Sequence, residues 1–349
     1  MKRIFRDPQI FELMRIIDGH ARACGLDIRN QTHNERLLAD LTAQIEQNRE
    51  NDSLIHGLRV ERMFAYVACA LGACRAVKEE DAGELYAVDT AMRVPDFRIL
   101  TVEKRELLVE VKNCHMIDLE RGYRLAPAYL GGLKSYASAF RTELFIAIYW
   151  SKPKLWTLLS PNDFELQDGE YVVRLQEAMP RNNMQLLGDT MIGLPPSLTV
   201  RLLSDPTKPR AVDSTGQAKF TIGQVELYCG DQLIEDDLEK RIAWFLMNYG
   251  SWPGHKLEPE VDGGEVISIG FRAEPEERSN PDENFEIIGC LSEMISREFN
   301  DDTAWDGLVR LLAPKREPDT FGVVIPADYR GKALPLWRFN LQPFSPGAS

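Results

Sequence analysis

The stretch Arg93–Lys112 constrains the fold more than any other part of the chain. It holds two short apolar runs, Val94–Leu100 and Leu107–Val111, separated by the mostly polar Thr101–Glu106. β-Branched and aromatic residues in the arms, with charge at the tip, predict a β-hairpin. Strand side chains alternate, so Leu108, Glu110 and Lys112 fall on one face and Leu107, Val109 and Val111 on the other. In a paired register Asp96 lies beside Glu110. Two carboxylates at close range oppose each other's ionisation unless a cation sits between them. Among apolar neighbours such a pair is expensive, and Lys112 is one strand-step away.

The segments around the hairpin read as an α/β unit. Ser53–Gly72 predicts a helix, with Ser53 as N-cap, Gly72 as its stop, and Leu58, Phe64, Val67, Ala68 and Leu71 on an apolar side; Glu61 falls among them. Leu85–Thr90 reads as a first strand, which makes Asp89 a reserve acidic ligand. Leu125–Phe140 reads as a helix entered through Pro127 or Gly131-Gly132. Glu143–Trp150 is a nearly continuous apolar run, as expected of a strand covered on both faces, with Lys154–Leu159 as its neighbour.

Pro95-Asp96 followed by Glu110-Val111-Lys112, on adjacent strands after a Glu-bearing helix, resembles the signature of the PD-(D/E)XK nuclease superfamily. The resemblance covers roughly Asp52 to Trp156. It implies a restriction-endonuclease-like three-layer α/β core with a central mixed sheet. It further implies a metal-dependent phosphodiesterase holding Mg²⁺, or Mn²⁺ in its place, on Asp96, Glu110, the Val111 carbonyl and Glu61. Lys112 would act on the attacking water or the developing phosphoryl charge, and Lys134 and Tyr136 would meet the substrate. Hard divalent cations favour such oxygen ligands, lower the pKa of bound water and clamp phosphate.

Composition bears on the partners. At 349 residues the chain has room for two ordinary domains, here N-terminal helices over 1–51, the nuclease core over 52–160 and an α+β domain over 161–349. A 44% hydrophobic and 27% charged content is that of a globular protein. No apolar run approaches the roughly 20 residues of a membrane span, and MKRIFRDPQIF lacks a signal-peptide core, which points to a cytoplasmic protein without a membrane partner. The net charge of −13 disfavours nucleic acid at first sight. Most of it, however, comes from Asp262–Asp306, with thirteen carboxylates against three arginines, a stretch read as a solvated face. Arg121, Arg124, Lys134, Arg141, Lys152 and Lys154 gather after the motif, and a nuclease needs positive charge only along its groove. DNA is expected ahead of RNA. Cutting both strands takes two sites, which suggests a homodimer or a partner subunit.

Six scattered cysteines and five histidines without ligand spacing predict reduced thiols and no zinc site, with His115 at a strand end. Residues 8–23 and Asn34–Asn48 predict two helices, the first with Ile10, Phe11, Met14, Ile16 and Ile17 at helical spacing. Beyond Trp156 the pattern alternates: loops at Ser160–Asp168 and Met179–Asn183, a strand at Phe220–Cys229, an amphipathic helix at Ile234–Tyr249 closed by Gly250, then Val266–Phe271, Phe285–Phe299 and Phe321–Ile325. Trp244, Phe245 and Trp252 are expected in the core. Two rivals to the nuclease remain: a catalytically silent nuclease-fold module acting in binding or scaffolding, and a structural α/β protein in which Glu-Val-Lys is accidental.

Overall fold

A computed structural model describes residues 1–2, 8–82, 84–115, 119–195, 197–275, 284–318, 321–322, 324–326 and 328–343. Three helices lead: α1 (Pro8–Cys24), α2 (Gln31–Asn48) and α3 (Asp52–Ala70). A five-stranded sheet follows, built from β1 (Cys74–Glu79), β2 (Phe97–Thr101), β3 (Glu106–Cys114), β5 (Glu143–Trp150) and β6 (Leu155–Leu159) in the order β1-β2-β3-β5-β6. Only the β3–β5 pair is parallel. Its crossover carries the short β4 (Tyr123–Leu125) and α4 (Pro127–Phe140).

Alternation along β3 sorts the core into two layers. Leu107, Val109 and Val111 pack with Val60, Met63, Phe64 and Val67 of α3. Leu108 packs with Leu130 and Leu133 of α4 and with Ile146 and Ile148 of β5. The result is helix, mixed sheet, helix: a three-layer α/β arrangement in which β5 is buried on both faces, as its unbroken apolar run requires.

After β6 come β7 (Glu165–Gln167) and β8 (Glu170–Val173), which pair with β4, then the one-turn α5 (Leu175–Ala178). β9 (Met191–Leu194), β10 (Leu198–Ser204), β11 (Ile222–Cys229), β12 (Gln232–Leu233), α6 (Asp237–Tyr249), β13 (His255–Asp262), β14 (Glu265–Ala273), β15 (Glu286–Cys290) and α7 (Leu291–Thr303) complete the main elements. Strands β10 to β14 form an antiparallel sheet in the order β12-β11-β10-β14-β13. The apolar layer on the α3 side runs without a break into this half, through Met294, Ile295 and Phe299 of α7. Hydrogen bonds cross the same seam, among them Arg59 Nε to Thr303 Oγ1 at 2.9 Å and Trp156 Nε1 to Ser296 Oγ at 2.9 Å.

Several expectations change. The first strand of the sheet is Cys74–Glu79, whereas Leu85–Thr90 is irregular and exposed, with Val88 fully in solvent. β1 is an edge strand held by backbone pairing, so it needs little apolar side-chain area. Helix α3 is capped by Asn51, not Ser53, and Leu58 is exposed. Helix α6 begins at Asp237 because Asp236 accepts the Leu238 and Glu239 N–H groups. Phe285–Phe299 divides into β15 and α7, and the described part of Phe321–Ile325 is not a strand. Trp244 is exposed, while Phe245 is buried and Trp252 half-buried. Met14 and Ile16 of α1 face solvent. The acidic stretch is not one solvated face: Glu286, Glu293 and Glu298 are buried, with Glu293 paired to Arg297 and Glu298 to Arg316. Its 276–283 portion and the side chains of Ile10 and Phe11 lie outside the described residues.

Candidate active site

β3 outruns its neighbour. Its last pairing with β2 is Phe97 to Val109, after which Glu110–Cys114 keep only β5 beside them. Asp96 stands immediately before β2, opposite Glu110. Its Oδ2 accepts the Val111 N–H at 2.6 Å, so a side chain takes the place of the missing strand. The Asp96 carbonyl accepts the Glu80 N–H at 2.8 Å, which fixes the carboxyl at the mouth of the notch.

Glu110 is 1% exposed on the α4 face of the sheet. Lys112 donates to Glu110 Oε1 at 2.5 Å and to the Tyr129 hydroxyl at 2.9 Å, and that hydroxyl donates in turn to Glu110 Oε1. Tyr129 comes from the first turn of α4, and Arg93 stacks on its ring at 4.8 Å. Arg93 is exposed and has no carboxylate partner among the described residues.

Charge crowds this end of the sheet. Burial, then Glu110, pushes the Asp96 carboxyl up to about 8, against the Val111 N–H and Lys112. Glu61 sits half-buried on α3 and is raised by desolvation, then by Asp81 and Glu110, with Lys112 opposing. Asp81, just past β1, is raised by desolvation and then by Glu110. Burial alone would lower the Lys112 ammonium, but Glu110 and Tyr129 outweigh it and leave it above its ordinary value. The Glu110 charge thus acts on Asp96, Glu61 and Asp81 alike, and Lys112 opposes it at Asp96 and Glu61. Asp96, Glu110 and Lys112 are brought together. Glu61 acts on them from α3 by charge alone, and no three carboxylates of this group bring their oxygens within 4.8 Å of one another. Sequence reasoning missed Asp81, Tyr129 and Arg93. Asp81 follows the strand that was misplaced, and nothing in the Pro127–Tyr129 turn distinguishes its tyrosine from a core residue.

Other expected residues have partners of their own. Tyr136 is buried and donates to Glu80 at 2.8 Å, and Lys134 lies over the Tyr171 ring at 5.5 Å. Burial acts to raise Glu80, yet hydrogen bonds from Arg98, Tyr136 and Lys78 hold it at about 2. Asp89 accepts the Ala91 N–H in an exposed turn. His115 is bonded to Ser151 at 3.1 Å and meets His56 edge-on, lining a cavity of about 300 Å³ with Arg59, Asn113 and Lys154. The basic residues after the motif do not form one cluster. Arg141 caps α4 at the β5 start, beside Leu107, whereas Lys152 and Lys154 follow the β5 end, beside Cys114. Arg124 pairs with Glu170.

One atom tests whether these residues suit a metal. Glu110 Oε2 is buried without a hydrogen-bond partner. An unmet buried carboxylate oxygen costs about 1–3 kcal/mol or more, and a hard cation between it and Asp96 would satisfy it. The donor set, carboxylate oxygens with a backbone carbonyl to hand, is that of magnesium or manganese.

No protein-family model matches the sequence, and neither does any curated protein. Among solved structures, a Holliday junction resolvase from the hyperthermophilic archaeon Archaeoglobus fulgidus is similar to part of the chain. The two are 18% identical with a TM-score of 0.29, and the match covers 35% of this chain and 92% of that one. So loose a likeness assigns neither fold nor activity.

Proposed function

We propose that the chain is a metal-dependent nuclease of the PD-(D/E)XK type that hydrolyses phosphodiester bonds, with DNA the favoured substrate. Residues 52–160 would be its restriction-endonuclease-like core, and 1–51 and 161–349 would be added parts. The orphaned Oε2 of buried Glu110, a residue that stands opposite Asp96 in the strand register, is the observation that supports this most directly. Asp96 and Glu110 would hold the ion, with the Val111 carbonyl and Glu61 as further ligands. When bound, Mg²⁺ or Mn²⁺ supplies Lewis-acid activation of water and charge relief at phosphate.

The side chains of the protein do the rest. Tyr129 and Glu110 hold the Lys112 ammonium charged and aimed, ready to orient water or to meet negative charge building on the phosphoryl oxygens. Arg93, stacked and unpaired by carboxylate, is placed to meet backbone phosphates. Purified protein is to be incubated with plasmid, linear and single-stranded DNA and RNA across Mg²⁺ and Mn²⁺. Cleavage should depend on the ion and vanish in Asp96→Ala and Lys112→Ala with folding intact. Metal-dependent cleavage surviving in either variant overturns the assignment.

A further inference from the structure

We propose that the N-terminal helix pair carries a zinc site formed by His20, Cys24 and Asp40, separate from the carboxylate notch. His20 and Cys24 stand one turn apart on α1, and Asp40 approaches from α2. His20 Nε2 lies 2.8 Å from Asp40 Oδ2 and 3.7 Å from Cys24 Sγ. The three ligand atoms all fall within 4.8 Å of one another. With bonds of the usual zinc lengths, tetrahedral ligands stand roughly 3.3–3.8 Å apart. The nitrogen–sulfur distance already fits, and the nitrogen–oxygen distance needs to open by about half an ångström.

The use of the two ring nitrogens decides what kind of cluster this is. In a Cys–His–Asp catalytic arrangement the imidazole faces the thiol with one nitrogen and the carboxylate with the other. Here both face Nε2, so three donors converge on one point, as around a metal. Nδ1 is left for His33, whose Nε2 lies 2.9 Å away in a stacked ring. Metal-bound histidines characteristically donate their second ring N–H to a hydrogen-bond acceptor, most often a carboxylate, carbonyl or water. Here His33 Nε2 takes that position. His33 is fully buried, which fixes the ring that His20 Nδ1 meets.

Imidazole, thiolate and carboxylate together select zinc over magnesium. Asp40 is 46% exposed, so water can complete the fourth position. Packing points the same way. Among the described residues of the pair, Ala21 and Leu37 are the buried apolar side chains. A bound ion shared by α1 and α2 would tie the two helices together. Spacing along one segment could not suggest such a site, because Asp40 and His33 come from a second helix.

Full-length protein is to be stripped with chelator, loaded with Zn²⁺, desalted and assayed by mass spectrometry, with Co²⁺ in parallel as a spectroscopic probe. One zinc per chain should be retained, and Co²⁺ should give tetrahedral bands with a thiolate charge-transfer band. Cys24→Ser should lose that band. His33→Gln should weaken zinc binding about 10- to 100-fold, and Asp96→Asn should leave it unchanged. Wild-type protein that retains no zinc overturns the site, as does a charge-transfer band that survives in Cys24→Ser. Should Cys24→Ser fail to fold, a wild-type cobalt complex without the thiolate band is equally fatal.

Discussion

Asp96 is the residue at which stability and function pull apart. Its folded pKa of about 8 exceeds the ordinary 3.8, so the folded state prefers the protonated acid. The stability from that proton is complete below the unfolded value and is lost as pH rises through about 8. In chelator, Asp96→Asn should therefore melt higher than the parent above about pH 8, with the gap closing in acid. Adding Mg²⁺ should raise the melting temperature of the parent alone, since only it gains binding energy. Equal melting curves for the two proteins above pH 8 would refute the crowding. Tyr129→Phe removes the hydroxyl that links Lys112 to Glu110 and should cost about 1–3 kcal/mol in denaturant unfolding. Asp96, Glu110 and Lys112 were legible because a short motif sat inside a period-2 pattern. Tyr129 was not, since its role depends on where a crossover helix begins. Arg93→Ala should weaken nucleic-acid binding and reduce the salt dependence by about one phosphate contact, measured by titration at several ionic strengths.

At the level of elements, the notch exists because β2 stops where β3 continues, and α4 must come close for Tyr129 to reach it. Gly132 permits that approach. A Cβ there would stand 2.5 Å from the Ala91 carbonyl and 2.9 Å from Arg93 Cγ. Gly132→Ala should push α4 from the segment leading to Asp96, costing about 1–3 kcal/mol and lowering cleavage more than binding. Unchanged activity would show that the approach is dispensable. Doubly covered β5 and the alternating β3 could be read from sequence because burial dictates their composition. The edge strand β1 could not: Cys74–Glu79 offers few buried positions, whereas the more apolar Leu85–Thr90 is exposed. Tertiary pairing overrides composition at an edge.

For the molecule as a whole, one apolar layer joins α3 to α7, and hydrogen bonds link residues 140 and 244 positions apart. Urea unfolding should accordingly show a single transition by fluorescence and circular dichroism alike, and two separated transitions would contradict this continuity. Sequence could not disclose the seam, because both sides of it carry ordinary amphipathic helices. The shared layer also sets a timetable for biosynthesis. While the chain is still emerging from the ribosome, α3 and the sheet lack the helix that closes their floor until Thr303 has been made. A nascent chain of this kind would hold its carboxylates in an unfinished frame, withholding any cutting activity from nearby nucleic acid until α7 has emerged.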